Sequence, residues 1–177
     1  DNWKKLNAED NGLPKGNLGR MGLAISKANS SKVYALIESS KNALYVSEDG
    51  GEKFTFLNSN GEIGDRPFYY FEIYADPKNE NRLYTLYSRV GMSEDGGKSF
   101  SQLLQYDGVH PDHHAWYINP NDPNFLIDGN DGGLNISRDM GKTWYFAEGI
   151  TVGQFYHINV DNEIPYNVYG GMQDNGS

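Results

Sequence analysis

Short stretches of alternating apolar and polar residues, separated by turn-forming residues, run through the whole chain. The clearest are FEIYADPKNENRLYTLY (residues 71–87) and AWYINPNDPNFLIDG (115–129), each with an Asp-Pro or Asn-Pro cluster between two such stretches. Weaker copies are LAISKANSSKVYALI (23–37) and YHINVDNEIPYNVYGG (156–171). Alternation of this kind is typical of β-hairpins. No segment keeps an apolar period of about 3.6 residues, so we predict an all-β fold with few helices.

A second pattern repeats between the hairpins. The segments SEDGGEKF, SEDGGKSF and SRDMGKTW each read Ser-x-Asp-x-Gly-x-x-aromatic, and their serines are 46 and then 44 residues apart. Four hairpin positions follow a similar period, with spacings of 50, 43 and 42 residues: Tyr34, Tyr84, Ile127 and Tyr169. A period of this length matches the four-stranded blade of a β-propeller. We therefore predict a β-propeller built of four-stranded antiparallel blades.

The residue types of this repeated turn, which we call the Asp turn, indicate a structural role. The Asp carboxylate and the Ser hydroxyl can accept hydrogen bonds from backbone N–H groups of their own turn. Glycine supplies the positive φ that the turn needs, and the aromatic residue returns to the core. We assign these twelve residues to the fold rather than to catalysis: Ser47, Asp49, Gly51, Phe54, Ser93, Asp95, Gly97, Phe100, Ser137, Asp139, Gly141 and Trp144.

The repeats divide the chain into units 4–54, 55–100, 101–144 and an incomplete unit 145–177, all within one propeller domain of residues 1–177. Trp3 is followed by KKLN much as Phe54 is followed by TFLN, so we interpret Trp3 as the aromatic residue of a fourth Asp turn. Propellers close with about four to eight blades. We therefore predict an arc of about three and a half blades, whose partners include the remaining blades of a longer polypeptide.

Composition narrows the class of function. The formal net charge is −9 and the chain contains no cysteine, which argues against nucleic-acid binding, disulfides and thiolate metal sites. No apolar run approaches about 18 residues, so we expect no membrane insertion. An acidic, cysteine-free chain rich in Tyr, Asn and Gly favours a secreted or cell-surface protein of bacterial origin.

With these residues in view, the chain resembles the Asp-box (BNR-repeat) propellers, and more narrowly the bacterial secreted sortilin-like or BNR-repeat glycosyl hydrolase proteins. The segments that carry the resemblance are NGLPKGNLGRMGLAIS (11–26), HPDHHAWYINPNDPNFLIDGNDGGLNISRDMGKTW (110–144) and GQFYHINVDNEIPYNVYGGMQDNGS (153–177). The resemblance implies a propeller that binds glycans or protein partners. The alternative is a xyloglucanase-like glycoside hydrolase with a pair of Asp residues as acid and base.

The densest polar cluster is YDGVHPDHHAWYI (106–118), in which Asp107 precedes three histidines. His110, Asp112 and His114 could ligate a divalent ion, although we expect no cofactor, and strand alternation would place His113 on the other side. The alternative is a turn leading into an inner strand, with these side chains lining the channel and contacting ligand. Xyloglucanase-type propellers have a similar Asp-x-His-Ala segment, which implies that Asp112 or His114 faces the channel.

Two further carboxylates follow the second strand of their hairpins. Asp131 lies in GNDGG (129–133) and Asp174 in GGMQDNGS (170–177), so we expect equivalent places on adjacent blades. Together with Asp112 they are our candidate catalytic residues, because repeated carboxylates at one cleft suit glycoside acid–base chemistry. The alternative is that each Asp only caps a tight turn.

The segment GDRPFYYFEIY (64–74) joins an acidic and a basic residue to several aromatics. Asp65, Arg66, Tyr69 and Tyr70 are candidate ligand-binding residues, because an exposed aromatic surface beside an arginine suits stacking on sugar rings. The alternative, which strand alternation favours for Phe68 and Tyr70, is burial between sheets. No arginine cluster of the sialidase kind can be recognised.

Overall fold

A computed structural model describes residues 2–3, 5–6, 10–104 and 108–174. Fourteen β-strands form three four-stranded antiparallel sheets and one two-stranded ribbon. The strands of the first sheet are β1 (Met21–Ser26), β2 (Asn29–Ile37), β3 (Ala43–Ser47) and β4 (Thr55–Asn58). The second sheet contains β5 (Glu72–Ala75), β6 (Leu83–Leu86), β7 (Val90–Ser93) and β8 (Ser101–Leu104).

The third sheet contains β9 (His113–Ile118), β10 (Leu126–Asn130), β11 (Gly133–Ser137) and β12 (Tyr145–Phe146). The ribbon pairs β13 (Asn159–Val160) with β14 (Val168–Tyr169). A 3₁₀ turn spans Gly61–Ile63. No helix among the described residues is long and apolar enough to cross a membrane. The predicted all-β propeller arc is confirmed.

Each four-stranded sheet follows the chain order from one strand to the next, which is the arrangement of a propeller blade. The fourth strands β4, β8 and β12 begin at Thr55, Ser101 and Tyr145, directly after the aromatic residue of each Asp turn. The fourth strand of each sheet therefore comes from the first residues of the following sequence repeat. Sheet and sequence unit are offset by one strand.

The repeated hairpin positions are equivalent in the register of the sheets. Tyr34 pairs with Val46, Tyr84 with Met92 and Ile127 with Ile136, and each partner is the residue before an Asp-turn serine. Tyr34 and Tyr84 are fully buried.

The core lies between the sheets. Ala24, Leu36 and Val46 of the first sheet pack against Ile73 and Leu83 of the second. A matching layer between the second and third sheets includes these residues: Leu86, Val90, Leu104, Trp116 and Leu126. The second sheet is therefore packed on both of its broad faces, which suits the buried, mostly apolar residues of β6 and β7.

The far face of the first sheet is more open. Leu6, Leu13 and Leu18 pack against it, yet Leu23 and Ile25 stay largely exposed. Trp3, interpreted as the aromatic residue of a fourth Asp turn, is 95% exposed and outside this apolar layer, whereas Phe54 and Phe100 are each 8% exposed.

Alternating strand direction places the connections on two opposite faces. The Asp turns follow β3, β7 and β11, so they share one end of the sheets, which we call the Asp-turn face. The connections that lead into β5 and β9, and those that follow β2, β6, β10 and β14, lie at the opposite end, which we call the connection face.

Candidate functional site

Three carboxylates converge on the connection face. Asp112 directly precedes β9, Asp131 directly follows β10, and Asp174 follows β14. Asp112 and Asp174 have φ angles of 62° and 59°, in the left-handed region that few non-glycine residues adopt. The three predicted catalytic candidates therefore lie at the same end of the sheets, although they come from different connections of the chain.

The carboxyl groups of Asp131 and Asp174 lie close enough to interact directly. Burial raises the pKa of Asp131, and the negative charges of Asp174 and Asp112 raise it further, against the opposing effect of His114. His114 Nε2 lies 3.2 Å from Asp131 Oδ1. Two carboxyl groups and a histidine therefore meet at this point of the connection face.

Tyr70 connects the second sheet to Asp112. Its hydroxyl donates to Asp112 Oδ1 at 2.9 Å and accepts from Arg66 Nη1 at 3.3 Å. Burial and the neighbouring Asp112 raise the pKa of Tyr70 to about 12, so the hydroxyl keeps its proton and acts as donor. Asp65 contributes to the same rise and accepts a hydrogen bond from the Ser88 hydroxyl.

The aromatic segment divides into an exposed and a buried half. Tyr69 is 44% exposed, and its ring meets the His114 ring edge-on at 5.3 Å between centroids. The Arg66 guanidinium lies 5.3 Å from the Tyr69 and Tyr70 ring centroids, within cation–π range. Burial of Phe68 was expected from alternation and is wrong: Phe68 is exposed, because residues 65–71 form a turn rather than a strand.

Two predicted ligand-binding residues need correction. Tyr70 is fully buried, and His113 is 1% exposed, so neither side chain can contact a ligand directly. Tyr70 packs behind Tyr69, and His113 points into the sheet, where its Nδ1 lies 2.9 Å from both oxygens of buried Asp128. Both residues therefore lie beneath the exposed side chains of the site and support them through these contacts.

The His113–Asp128 pair continues toward the surface. Asn130 Nδ2 donates to Asp128 Oδ2 at 2.8 Å and to Asn135 Oδ1 at 3.0 Å. The Asn130 side-chain oxygen accepts from the Gly132 backbone N–H at 2.9 Å. This network holds the turn that carries Asp131.

A cleft of about 560 Å³ opens beside the carboxyl pair. Tyr69 and Phe146 form aromatic parts of its wall, and no Lys or Arg is among the described residues that line it. The polar residues of the wall are Asn130, Asp131, Gln154, Gln173 and Asp174. Carboxylates, amides and aromatic rings can together bind a ligand rich in hydroxyl groups.

The suggested metal cluster does not form in the structure. Among the described residues, no three His, Asp or Glu side chains are grouped so as to hold a metal ion. His110 is engaged elsewhere: its Nδ1 lies 3.0 Å from the Pro111 carbonyl oxygen and its Nε2 lies 3.1 Å from that of Asp174. Asp112 turns to Tyr70 and His114 to Asp131. Asp107 lies outside the described residues.

The aspartates of the Asp turns have lowered pKa values, whereas the pKa of Asp131 is raised. Asp139 Oδ1 accepts from the Ser137 hydroxyl at 2.8 Å and the Thr143 N–H at 2.9 Å, and its other oxygen accepts from the Thr143 hydroxyl at 2.6 Å. These hydrogen bonds lower the pKa of Asp139 to about 2. Backbone and side-chain donors likewise lower the pKa of Asp49, and Ser99 and Ser93 outweigh burial in lowering that of Asp95.

Comparison with known proteins places the fold. No protein-family model and no curated protein matches the chain. Among solved structures, the GH74 enzyme of Niastella koreensis superposes with a TM-score of 0.60 at 18% identity, over 87% of this chain and 26% of that one. An ancestral GH74 enzyme gives a TM-score of 0.51 at 13% identity, over 89% and 24% of the two chains.

The YCF48 protein of Cyanidioschyzon merolae, also a β-propeller, superposes with a TM-score of 0.54 at 15% identity, over 85% of this chain and 48% of that one. The chain thus has the fold of a β-propeller, in agreement with its blade-like sheets. It spans about a quarter of the length of the two GH74 enzymes. At these identities the likeness extends to the fold alone.

Several residues of the site could not be recognised from the sequence. Asp128 and Asn135 lie in strands of alternating pattern that resemble the others. They stand out only in the structure, where both are buried and pair with each other across β10 and β11. Gln154 and Gln173 pair across 19 residues at 3.2 Å, and only the fold brings them to the cleft.

Proposed function

We propose that the connection face binds a glycan, with the cleft beside Asp131 and Asp174 as the binding site. The observation that carries this proposal is the exposed Tyr69 ring at the border of a cleft walled by amides and carboxylates. Saccharides present apolar C–H faces that stack on aromatic rings and hydroxyls that donate to carboxylates. Because the described part of the cleft wall has no Lys or Arg, a phosphorylated or carboxylated ligand would lack a counter-charge there.

Titration calorimetry of the protein with a panel of neutral β-glucan oligosaccharides tests this proposal. We expect saturable binding to at least one oligosaccharide and a loss of affinity of about tenfold or more in Tyr69→Ala, because the stacking surface is removed. Tyr166→Ala is the matched control, since Tyr166 is an exposed tyrosine that does not line the cleft. Absence of binding across the panel, or an equal loss in both variants, would contradict the proposal.

A second candidate function is glycoside hydrolysis, favoured by the raised pKa of Asp131, which suits a general acid. Two carboxyls that interact directly are closer than the ~6.5–9.5 Å that an inverting mechanism leaves between its carboxyls. In an inverting mechanism Asp131 would therefore need a base other than Asp174, and Asp112 is the other carboxyl that acts on it. Release of reducing sugar from the same panel, abolished in Asp131→Asn, would support hydrolysis, whereas release unchanged in that variant would remove Asp131 from the mechanism.

We also propose a location for this glycan-binding activity. An acidic chain without cysteine suits a secreted or cell-surface glycan-binding protein. A protein ligand on the same face is the alternative outcome, and binding of peptides but no saccharide would favour it.

A further inference from the structure

Arg20 connects the first sheet to the aromatic segment of the second. It directly precedes β1, and its backbone is fixed by two bonds to Glu38: the Arg20 N–H donates to Glu38 Oε2 at 2.8 Å, and the Glu38 N–H donates to the Arg20 carbonyl at 2.9 Å. The guanidinium then crosses to the neighbouring sheet. Its Nη1 donates to the Tyr69 carbonyl at 2.5 Å, and its Nη2 lies 2.7 Å from Glu72 Oε1.

The segment that carries Tyr69 is tied to the sheets at both ends, since Asp65 accepts a hydrogen bond from the Ser88 hydroxyl and Phe71 is buried in the core between the first two sheets. Residues 65–71 form a turn closed by the Tyr69 and Tyr70 N–H groups, which both donate to the Arg66 carbonyl, at 2.9 and 3.1 Å. The Tyr70 hydroxyl holds one end of this turn to Asp112. The backbone of Tyr69 itself is held from outside the turn by Arg20.

We propose that Arg20 is a positioning residue that sets the place of the Tyr69 ring at the cleft. The inference rests on the proposed function, since it assigns Arg20 a part in glycan affinity without contact to the glycan. Arginine suits this task because its planar fork serves a carbonyl and a carboxylate at once. A lysine at this position could serve either partner but would not hold both in fixed geometry.

The first experiment measures glycan affinity by titration calorimetry. We expect affinity to fall about five- to tenfold in Arg20→Ala and by less in Arg20→Lys, because one charged hydrogen bond is kept. Arg138→Ala is the control, since Arg138 lies over the Phe125 ring on the Asp-turn face. In a Tyr69→Ala background, Arg20→Ala should cause no further loss. An equal loss in that background would show that Arg20 acts elsewhere and would overturn the proposal.

The second experiment needs no ligand and separates this proposal from the proposed function. Hydrogen–deuterium exchange of the protein is followed by mass spectrometry for a peptide covering residues 65–72. We expect faster exchange of the Tyr69 and Tyr70 amides in Arg20→Ala than in the unsubstituted protein or Arg138→Ala, with β9 and β10 unchanged. Unchanged exchange in residues 65–72 would overturn the positioning role. If the unsubstituted protein binds no saccharide, the proposed function fails while this measurement still decides the role of Arg20.

Discussion

The two ends of the sheets place aspartates in opposite surroundings. On the Asp-turn face, Asp139 accepts hydrogen bonds from its own turn, which lower the pKa of its carboxyl to about 2. On the connection face, burial and the nearby Asp174 and Asp112 raise the pKa of Asp131. An aspartate with many donors is held in its charged form and stabilises the fold. One that faces other carboxylates keeps its proton more tightly, which suits binding or catalysis better than stability.

The largest effect should come from the turn glycines, through which the Asp-turn face packs on the neighbouring sheet. Gly97 has a φ of +88°, and a Cβ there would lie 2.7 Å from Leu44 Cδ2 of the first sheet. Gly149, on the connection face, has a φ of +83° with nothing within 4 Å of such a Cβ. We expect Gly97→Ala to lower the free energy of unfolding by about 2–4 kcal/mol, against about 1–2 kcal/mol for Gly149→Ala. Chemical denaturation measures both.

Gly51 provides a control within the Asp turns. It occupies the same turn position as Gly97, with a φ of +102°, yet a Cβ there would meet nothing within 4 Å. If Gly51→Ala costs as much as Gly97→Ala, backbone strain alone explains the loss and contact with the neighbouring sheet contributes nothing.

A smaller loss in the free energy of unfolding is expected when a serine on either face is replaced by alanine. Ser93 Oγ accepts from the Gly97 N–H at 2.8 Å in a buried setting, so Ser93→Ala leaves a buried donor unpaired and should cost about 1–3 kcal/mol. Ser88 Oγ donates to Asp65, whose carboxylate is exposed to water after Ser88→Ala, so we expect a loss below about 1 kcal/mol. Equal losses in denaturation would contradict the difference between the faces.

The smallest effect is expected for Asp139→Asn and Asp131→Asn, two substitutions that preserve side-chain shape. The pH dependence of their melting temperatures tests the difference in pKa between the two faces. The pKa of Asp139 is lowered on folding, so its carboxylate stabilises the fold above the ordinary pKa of 3.8, and this contribution disappears as the pH falls through about 2. Asp139→Asn should therefore lower the melting temperature by a few degrees at pH 7 and have little effect near pH 2. Thermal unfolding over this pH range measures the difference.

Asp131→Asn should behave in the opposite direction. Because folding raises the pKa of Asp131, the ionised carboxyl destabilises the fold at neutral pH, and the penalty disappears below the ordinary pKa of 3.8, where both states are protonated. The substitution should raise the melting temperature at pH 7 by about 1–3 °C, and the gain should vanish by about pH 3. A lower melting temperature at pH 7 would show that Asp131 is held as a charged group, like Asp139.

The sequence predicted the Asp-turn face far better than the connection face. A turn whose bonds form within about five residues repeats as a motif, so Ser47, Ser93 and Ser137 could be aligned without a structure. The blade period followed from the same alignment. On the connection face, Asp131 and Asp174 come from different hairpins, and their equivalence predicted a shared location without predicting a direct interaction between the two carboxyls.

Strand alternation failed where the chain was not a strand. It predicted burial for Phe68 and grouped His110, Asp112 and His114 on one side, but Asp112 adopts a left-handed conformation and β9 begins only at His113. The contact from Arg20 to Tyr69 spans 49 residues and involves a backbone carbonyl, which leaves no mark in a sequence pattern.

The raised pKa of Asp131 has a thermodynamic consequence for any ligand of the cleft. A saccharide hydroxyl that donates to the Asp131 carboxylate favours the ionised form, so binding would lower this pKa and release protons to the solvent at a pH where the free carboxyl is partly protonated. The heat of binding would then include the ionisation enthalpy of the buffer, and titrations in phosphate and in Tris would differ by the number of protons released. Recognition at this cleft would be coupled to the acid–base chemistry of the surrounding solution.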